Sequence, residues 1–148
     1  MKKWTSLLLA GLLALSLAAC GGQPSSDVPA DSGGQLAEGF QLESSGSDTY
    51  TDEEIQAAAD VITQHFQENF PGCTMTSLSY EDALSAYSAP EWAAQYDADQ
   101  AIVFQSSFTV EDPGQDSTLN PNSTYPNWQW ILVRSDGGSW TIGTYGQG

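Results

Sequence analysis

His65 is the only histidine in a chain of 148 residues, and so the only side chain whose ordinary pKa lies near neutrality. An imidazole held beside a carboxylate can abstract a proton from a bound substrate, and Glu68 follows one helical turn later. The sequence therefore offers one general-base constellation, His65 with a carboxylate, suited to an isomerase or lyase. The competing role is a boundary histidine satisfied by a neighbour or by water. Other chemistries are excluded by what is missing. Past Lys3 there is no lysine, which removes Walker-type phosphate cradles, Ser-Lys nucleophiles and Schiff bases. A single histidine cannot make an HExxH zinc site, and neither CxxC nor GxSxG occurs. Phosphoryl transfer would have Arg134 as its sole charged clamp.

Binding chemistry has more candidates. Arg134 can either pair with a carboxylate at a hairpin end or act as a carboxylate-recognising fork in a pocket mouth. Trp92, Tyr96 and Tyr125 are candidates to line a cleft or patch, where aromatic rings stack on sugars or grip a partner's apolar groups. Trp130 and Trp140 are expected in the core; Trp128 shares a strand face with Trp130 and Leu132. For divalent cations the candidates are Asp97 and Asp99, or Glu111 and Asp112 with Asp116. Oxygen ligands suit calcium, but neither stretch has the spacing or loop glycine of an EF-hand. Carboxylate pairs for glycoside cleavage carry no information in so acidic a chain. No motif calls for an organic cofactor.

The elements that must position these residues follow from local chemistry. Thr51-Asp52-Glu53-Glu54 reads as a capping box with acidic residues at the positive end of a helix dipole. Ile55, Ala58, Ala59, Ile62 and Phe66 then form one apolar helical face, and Pro71-Gly72 ends it. A strand is expected over 74–80. The stretch 81–88 is ambiguous, and a short helix is expected over 89–96. A second strand over 101–110 places Ile102, Phe104, Phe108 and Val110 on one face. After a loop over 112–127, a strand at 128–134, a turn at Asp136-Gly137-Gly138 and a return over 140–145 make a hairpin. The fold class is α+β: one long N-terminal helix on a curved antiparallel sheet, ending in a β-meander. The folded domain is expected over 48–148, enough for one modest core.

The N-terminus reads differently. Lys2 and Lys3 precede an apolar run from Leu7 to Leu17, which is short for a membrane span of about 20 residues. Leu17-Ala18-Ala19-Cys20 resembles a bacterial lipobox. The resemblance implies a signal peptide over 1–19 and a lipid on Cys20. It also implies anchoring at the extracytoplasmic face of the cell membrane, stable with two or more acyl chains. Residues 20–47 are rich in Gly, Ser, Gln, Pro and Asp and read as a disordered tether. About 27 such residues reach roughly 30 Å. Phe40 and Leu42 are the exceptions, with the character of an edge segment.

Loss of the signal removes both lysines and leaves 19 acidic residues against Arg134 as the one cation. This excludes electrostatic binding to nucleic acid and disfavours docking on anionic head groups, so the lipid must do the anchoring. With Cys20 lipidated, Cys73 has no intramolecular partner, and at the start of a strand it is expected to be buried.

Trp128 to Arg134, the Gly-Gly turn, Trp140-Thr141-Ile142 and Tyr145-Gly146 resemble the C-terminal part of small lipoproteins from Gram-positive bacteria. Those carry an NTF2-like or cystatin-like cone, a helix packed on a strongly curved sheet. The resemblance covers about the last hundred residues and implies the one-helix, cystatin-like version. Its members are largely of unknown function, so it implies a fold more than an activity. Three functions are therefore expected in this order: a membrane-anchored binding or accessory domain meeting a protein, peptide or small ligand; a cone-fold enzyme using His65; a structural envelope lipoprotein.

Overall fold

A computed structural model describes residues 33–148. Cys20, the signal and residues 20–32 of the expected tether lie outside the described residues. The helix α1 spans Asp52–Asn69. Thr51 Oγ1 accepts the Glu54 N–H at 3.2 Å, and the Thr51 N–H donates to Glu54 Oε2 at 2.9 Å. Both bonds satisfy amide groups that a helix start otherwise leaves open. Ile55, Ala58, Ala59, Ile62 and Phe66 are buried along one face. At Gly72 the chain turns with φ +66°, and a Cβ there would meet the Asp112 carbonyl oxygen at 1.8 Å. Only glycine permits that approach.

Two strands precede α1. They are β1 (Gln35–Leu36) and β2 (Leu42–Ser44), and both pair in parallel with β3 (Cys73–Tyr80). The fold thus begins before the expected boundary at 48, and α1 is not its first element. Leu36, Phe40 and Leu42 pack against the core, which gives this segment the apolar surface that its polar composition hides. Gly34 is needed here: a Cβ would lie 2.5 Å from the Phe66 carbonyl oxygen.

The remaining strands are β4 (Gln100–Val110), β5 (Ser123–Arg134) and β6 (Thr141–Gln147), with antiparallel pairing from β3 through β6. The sheet is therefore mixed rather than antiparallel, in the order β1-β3-β4-β5-β6 with β2 also on β3. Irregularities at Met75/Ser77, Ser106/Phe108 and Ile131/Leu132 interrupt its ladders. Such bulges bend and twist a sheet. Phe66 of α1 is buried in one cluster with Met75, Leu78, Phe104, Phe108, Trp130 and Leu132 of the sheet.

The stretch expected as ambiguous followed by a short helix is one helix, α2 (Asp82–Gln95), with Pro90 inside it. Its position has a physical cause. Pairing of β4 with β3 stops at Gln105, so the earlier N–H groups of β4 that point away from β5 need other acceptors. Ser85 Oγ of α2 takes the Val103 N–H at 3.1 Å, and both residues are buried. Among the described residues there are thus two helices, and the second is longer than the expected short helix because it also takes in 82–88.

Candidate functional site

An aromatic groove lies where α1 ends. Asn69, Phe70 and Pro71, the strand residues Trp128 and Tyr145, and the segment Pro113–Leu119 wall a groove of about 670 Å³. The strands place the two rings: β5 and β6 pair Trp130 with Tyr145, so Trp128 sits diagonally from Tyr145 on the same face. Their ring centroids are 6.3 Å apart with planes inclined by 34°. Tyr145 remains 40% exposed, whereas Phe70, 5.5 Å from it, is buried at the back of the groove.

Local bonds shape the other wall. Asp112 Oδ1 accepts the Gly114 N–H, Ser117 Oγ accepts the Leu119 N–H, and the Tyr125 hydroxyl accepts from both Asn120 nitrogens. Asx and hydroxyl turns of this kind order a loop without regular structure. The indole N–H of Trp128 is buried without a hydrogen-bond acceptor. Phe108, Tyr125 and Phe70 stand nearly perpendicular to that ring, at 5.2, 5.7 and 6.4 Å.

Tyr145 also lines a second, shallower groove of about 500 Å³ with Val61, Gln64, His65, Glu68, Trp140 and Ile142. Here the expected general base is found without its partner. Glu68 accepts a bond from Gln64 Nε2 at 3.0 Å. His65 Nδ1 lies 3.4 Å from the amide nitrogen of Asn69, and its Nε2 is buried with no partner. The imidazole packs among Tyr145, Trp130 and Phe70 at 5.3, 6.1 and 6.3 Å. Behind it, the space between α1 and the sheet is filled by Ile62, Phe66 and Trp130. His65 is thus held as a boundary aromatic ring, with its reactive nitrogen turned away from solvent.

Arg134 is fully engaged. Nε donates to Gln100 Oε1 at 2.7 Å, a terminal nitrogen pairs with Glu54, and the guanidinium lies 4.3 Å from the Trp140 ring centroid. The Thr51 N–H, and then the Arg134 side chain, hold the Glu54 carboxyl below its ordinary pKa. The structural alternative for Arg134 therefore fits better than a free fork.

The other candidates are dispersed. Trp92 and Tyr96 are 6.4 Å apart at the end of α2, where Tyr96 covers Gly143 of β6. Tyr125 stacks on Phe108 at 5.2 Å and supports the groove from beneath. Trp130 is fully buried and Trp140 nearly so. Among the described residues no three metal-ligating side chains converge. Asp97 makes the turn after α2 with φ 51°, and Asp99 Oδ2 accepts the Asp136 N–H at 2.6 Å. Neither becomes a ligand set.

A further pocket of about 370 Å³ lies between α2 and β4, lined by Tyr50, Tyr80, Asp82, Asp99 and small residues of α2. Its polar groups satisfy one another: Ser47 and Tyr80 donate to Asp82, and the Tyr50 hydroxyl donates to the Ala101 carbonyl. Those bonds to Ser47 and Tyr80 lower the Asp82 pKa, and burial raises that of Tyr80. The network closes the loop before α1 onto α2.

Sequence reasoning did not join Phe70, Trp128 and Tyr145. The only available signal was the hairpin, whose turn length sets which aromatic residues of its two strands become neighbours. Comparison with protein-family models, with curated proteins and with solved structures finds no match to this chain.

Proposed function

We propose that the chain is a lipid-anchored, extracytoplasmic protein whose folded part binds a partner or ligand through the groove at Trp128 and Tyr145. One observation carries the binding role: two neighbouring, partly exposed aromatic rings face a groove whose opposite wall is an ordered polar loop. Aromatic surfaces of this kind supply large contact area at small entropic cost. The enzymatic alternative has less support, because His65 has no carboxylate partner and its Nε2 is sealed among rings.

The address rests on Leu17 to Cys20 alone. Among the described residues no helix is long and apolar enough to cross a membrane. Replacing Cys20 with Ser is expected to move the protein from the membrane fraction to the soluble extracytoplasmic fraction. Retention in the membrane would remove the lipid from the proposal.

We also infer a relation to the cystatin-like branch of the cone folds, supported by α1 lying across a sheet with three ladder irregularities. Helix α2 and the parallel strands β1 and β2 depart from the one-helix form. The binding role is tested by presenting native envelope components to the full chain and to Tyr145→Ala. A specific partner should be lost or weakened at least fivefold in the variant. Equal capture by both proteins would place binding elsewhere.

A further inference from the structure

On the groove reading given above, we infer that the groove takes a cationic side chain, a guanidinium or ammonium group, carried by a partner polypeptide. The geometry provides for both halves of such a group. Trp128 and Tyr145 offer neighbouring ring surfaces, and cations are attracted to aromatic faces, most strongly to tryptophan. Carboxylates flank those rings on two sides. Asp116 lines the groove on the loop wall that faces the rings, and Glu68 lines the adjoining groove that shares Tyr145. The methylene stem of Lys or Arg suits the apolar rim at Pro71 and Leu119.

Charge complementarity selects this occupant over others. The described residues carry a single Lys or Arg, Arg134, and Glu54, Gln100 and Trp140 already hold it. An anionic ligand would therefore meet no available positive side chain among the described residues. A neutral ring would use the aromatic surface and at most donate hydrogen bonds, without the charge attraction of Asp116 and Glu68. A cation uses both, and the acidic surface around it raises the rate of encounter.

The test is a titration of the full chain in detergent, followed by tryptophan fluorescence and by the indole N–H resonances. The probes are a blocked tetrapeptide with one central arginine and its citrulline counterpart, which keeps the shape and removes the charge. The arginine peptide is expected to bind at least tenfold more tightly, and increasing salt should weaken it. Tyr145→Ala should lower its affinity at least fivefold with net charge unchanged, and Asp116→Asn about threefold. Asp97→Asn, which removes a remote charge, should have no effect.

Equal binding of the two peptides would overturn the cationic occupant while leaving the groove as a binding site. Equal losses in Asp97→Asn and Asp116→Asn, with none in Tyr145→Ala, would reduce the effect to general surface attraction and also overturn it. Failure of the arginine peptide to bind at millimolar concentration would do the same. A partner from the envelope that ignores Tyr145→Ala would instead defeat the groove reading itself.

Discussion

Ser106 shows how one small polar residue secures the largest buried ring. It sits in the apolar face of β4 at 2% exposure and accepts the Trp130 indole N–H at 2.8 Å. Ser106→Ala would leave that donor buried and unpaired, and such a loss costs about 1–3 kcal/mol. A urea unfolding midpoint well below that of the parent protein is expected; an unchanged midpoint would mean that water or a rotated ring replaces the bond. Cys73 makes a second case. Its thiol is buried, and burial raises its pKa from 9.0 to about 11. In the folded protein a disulfide-exchange reagent should therefore leave it unmodified near neutral pH and react only on addition of denaturant. The folded pKa is raised, so this contribution to stability is complete below pH 9.0 and is lost as pH rises towards about 11. Cys73→Ala should flatten that alkaline decline, measured by denaturation at stepped pH.

At the scale of elements, α1 is held from both ends of its first turn. The Thr51 side chain closes one of the two capping bonds, so Thr51→Ala should destabilise the fold by about 1 kcal/mol. Hydrogen exchange at Asp52 to Glu54 should quicken more than at Ile62 to Phe66. Uniform quickening along α1 would show that the cap acts on the whole helix. The capping residues and apolar spacing of α1 were legible because they act within a few residues of one another. The strand β4 was legible for the same reason, since Ile102, Phe104, Phe108 and Val110 alternate strongly. Helix α2 was not. Pro90 removes an amide donor and normally interrupts a helix, yet the chain continues through it because Ser85 and Ala93 are buried against β4. Of the segment that holds β1 and β2 only Phe40 and Leu42 gave a sign, as an edge segment: two and three residues carry too little periodicity to register, and their ladder partners lie over 30 positions away.

At the scale of the whole molecule, charge and proteolysis are linked through Arg134. It is the only trypsin-type cleavage position past Lys3, and its side chain is only 10% exposed. The folded protein should resist trypsin at that bond, with cleavage at Arg134-Ser135 following the unfolded fraction as urea is raised. Cutting at a rate independent of urea would reveal a local opening of the β5–β6 turn. Acid acts on the same framework. Glu54 and Asp82 both have pKa values lowered in the folded state, by the Thr51 N–H and Arg134 in one case and by Ser47 and Tyr80 in the other. Their contribution is complete above the ordinary carboxylate values and is lost as pH falls through the lowered ones. Glu54→Gln and Asp82→Asn should each reduce the acid-induced drop in unfolding midpoint. A drop unchanged in both variants would assign acid sensitivity to other carboxylates.

The sequence by itself determined the charge imbalance, the chemistries that its missing residues exclude, and the local signals of α1 and β4. These depend on composition or on neighbours a few positions apart. Tertiary structure decided the rest. It joined Phe70, Trp128 and Tyr145, separated His65 from Glu68, and turned Arg134 inward to Glu54, 80 positions away. Those outcomes depend on strand register and on which ends of helices and strands meet. A register shift of one residue reverses the face of every side chain on a strand, and beyond the β5–β6 turn no local pattern around Trp128 or Tyr145 places Phe70 beside them.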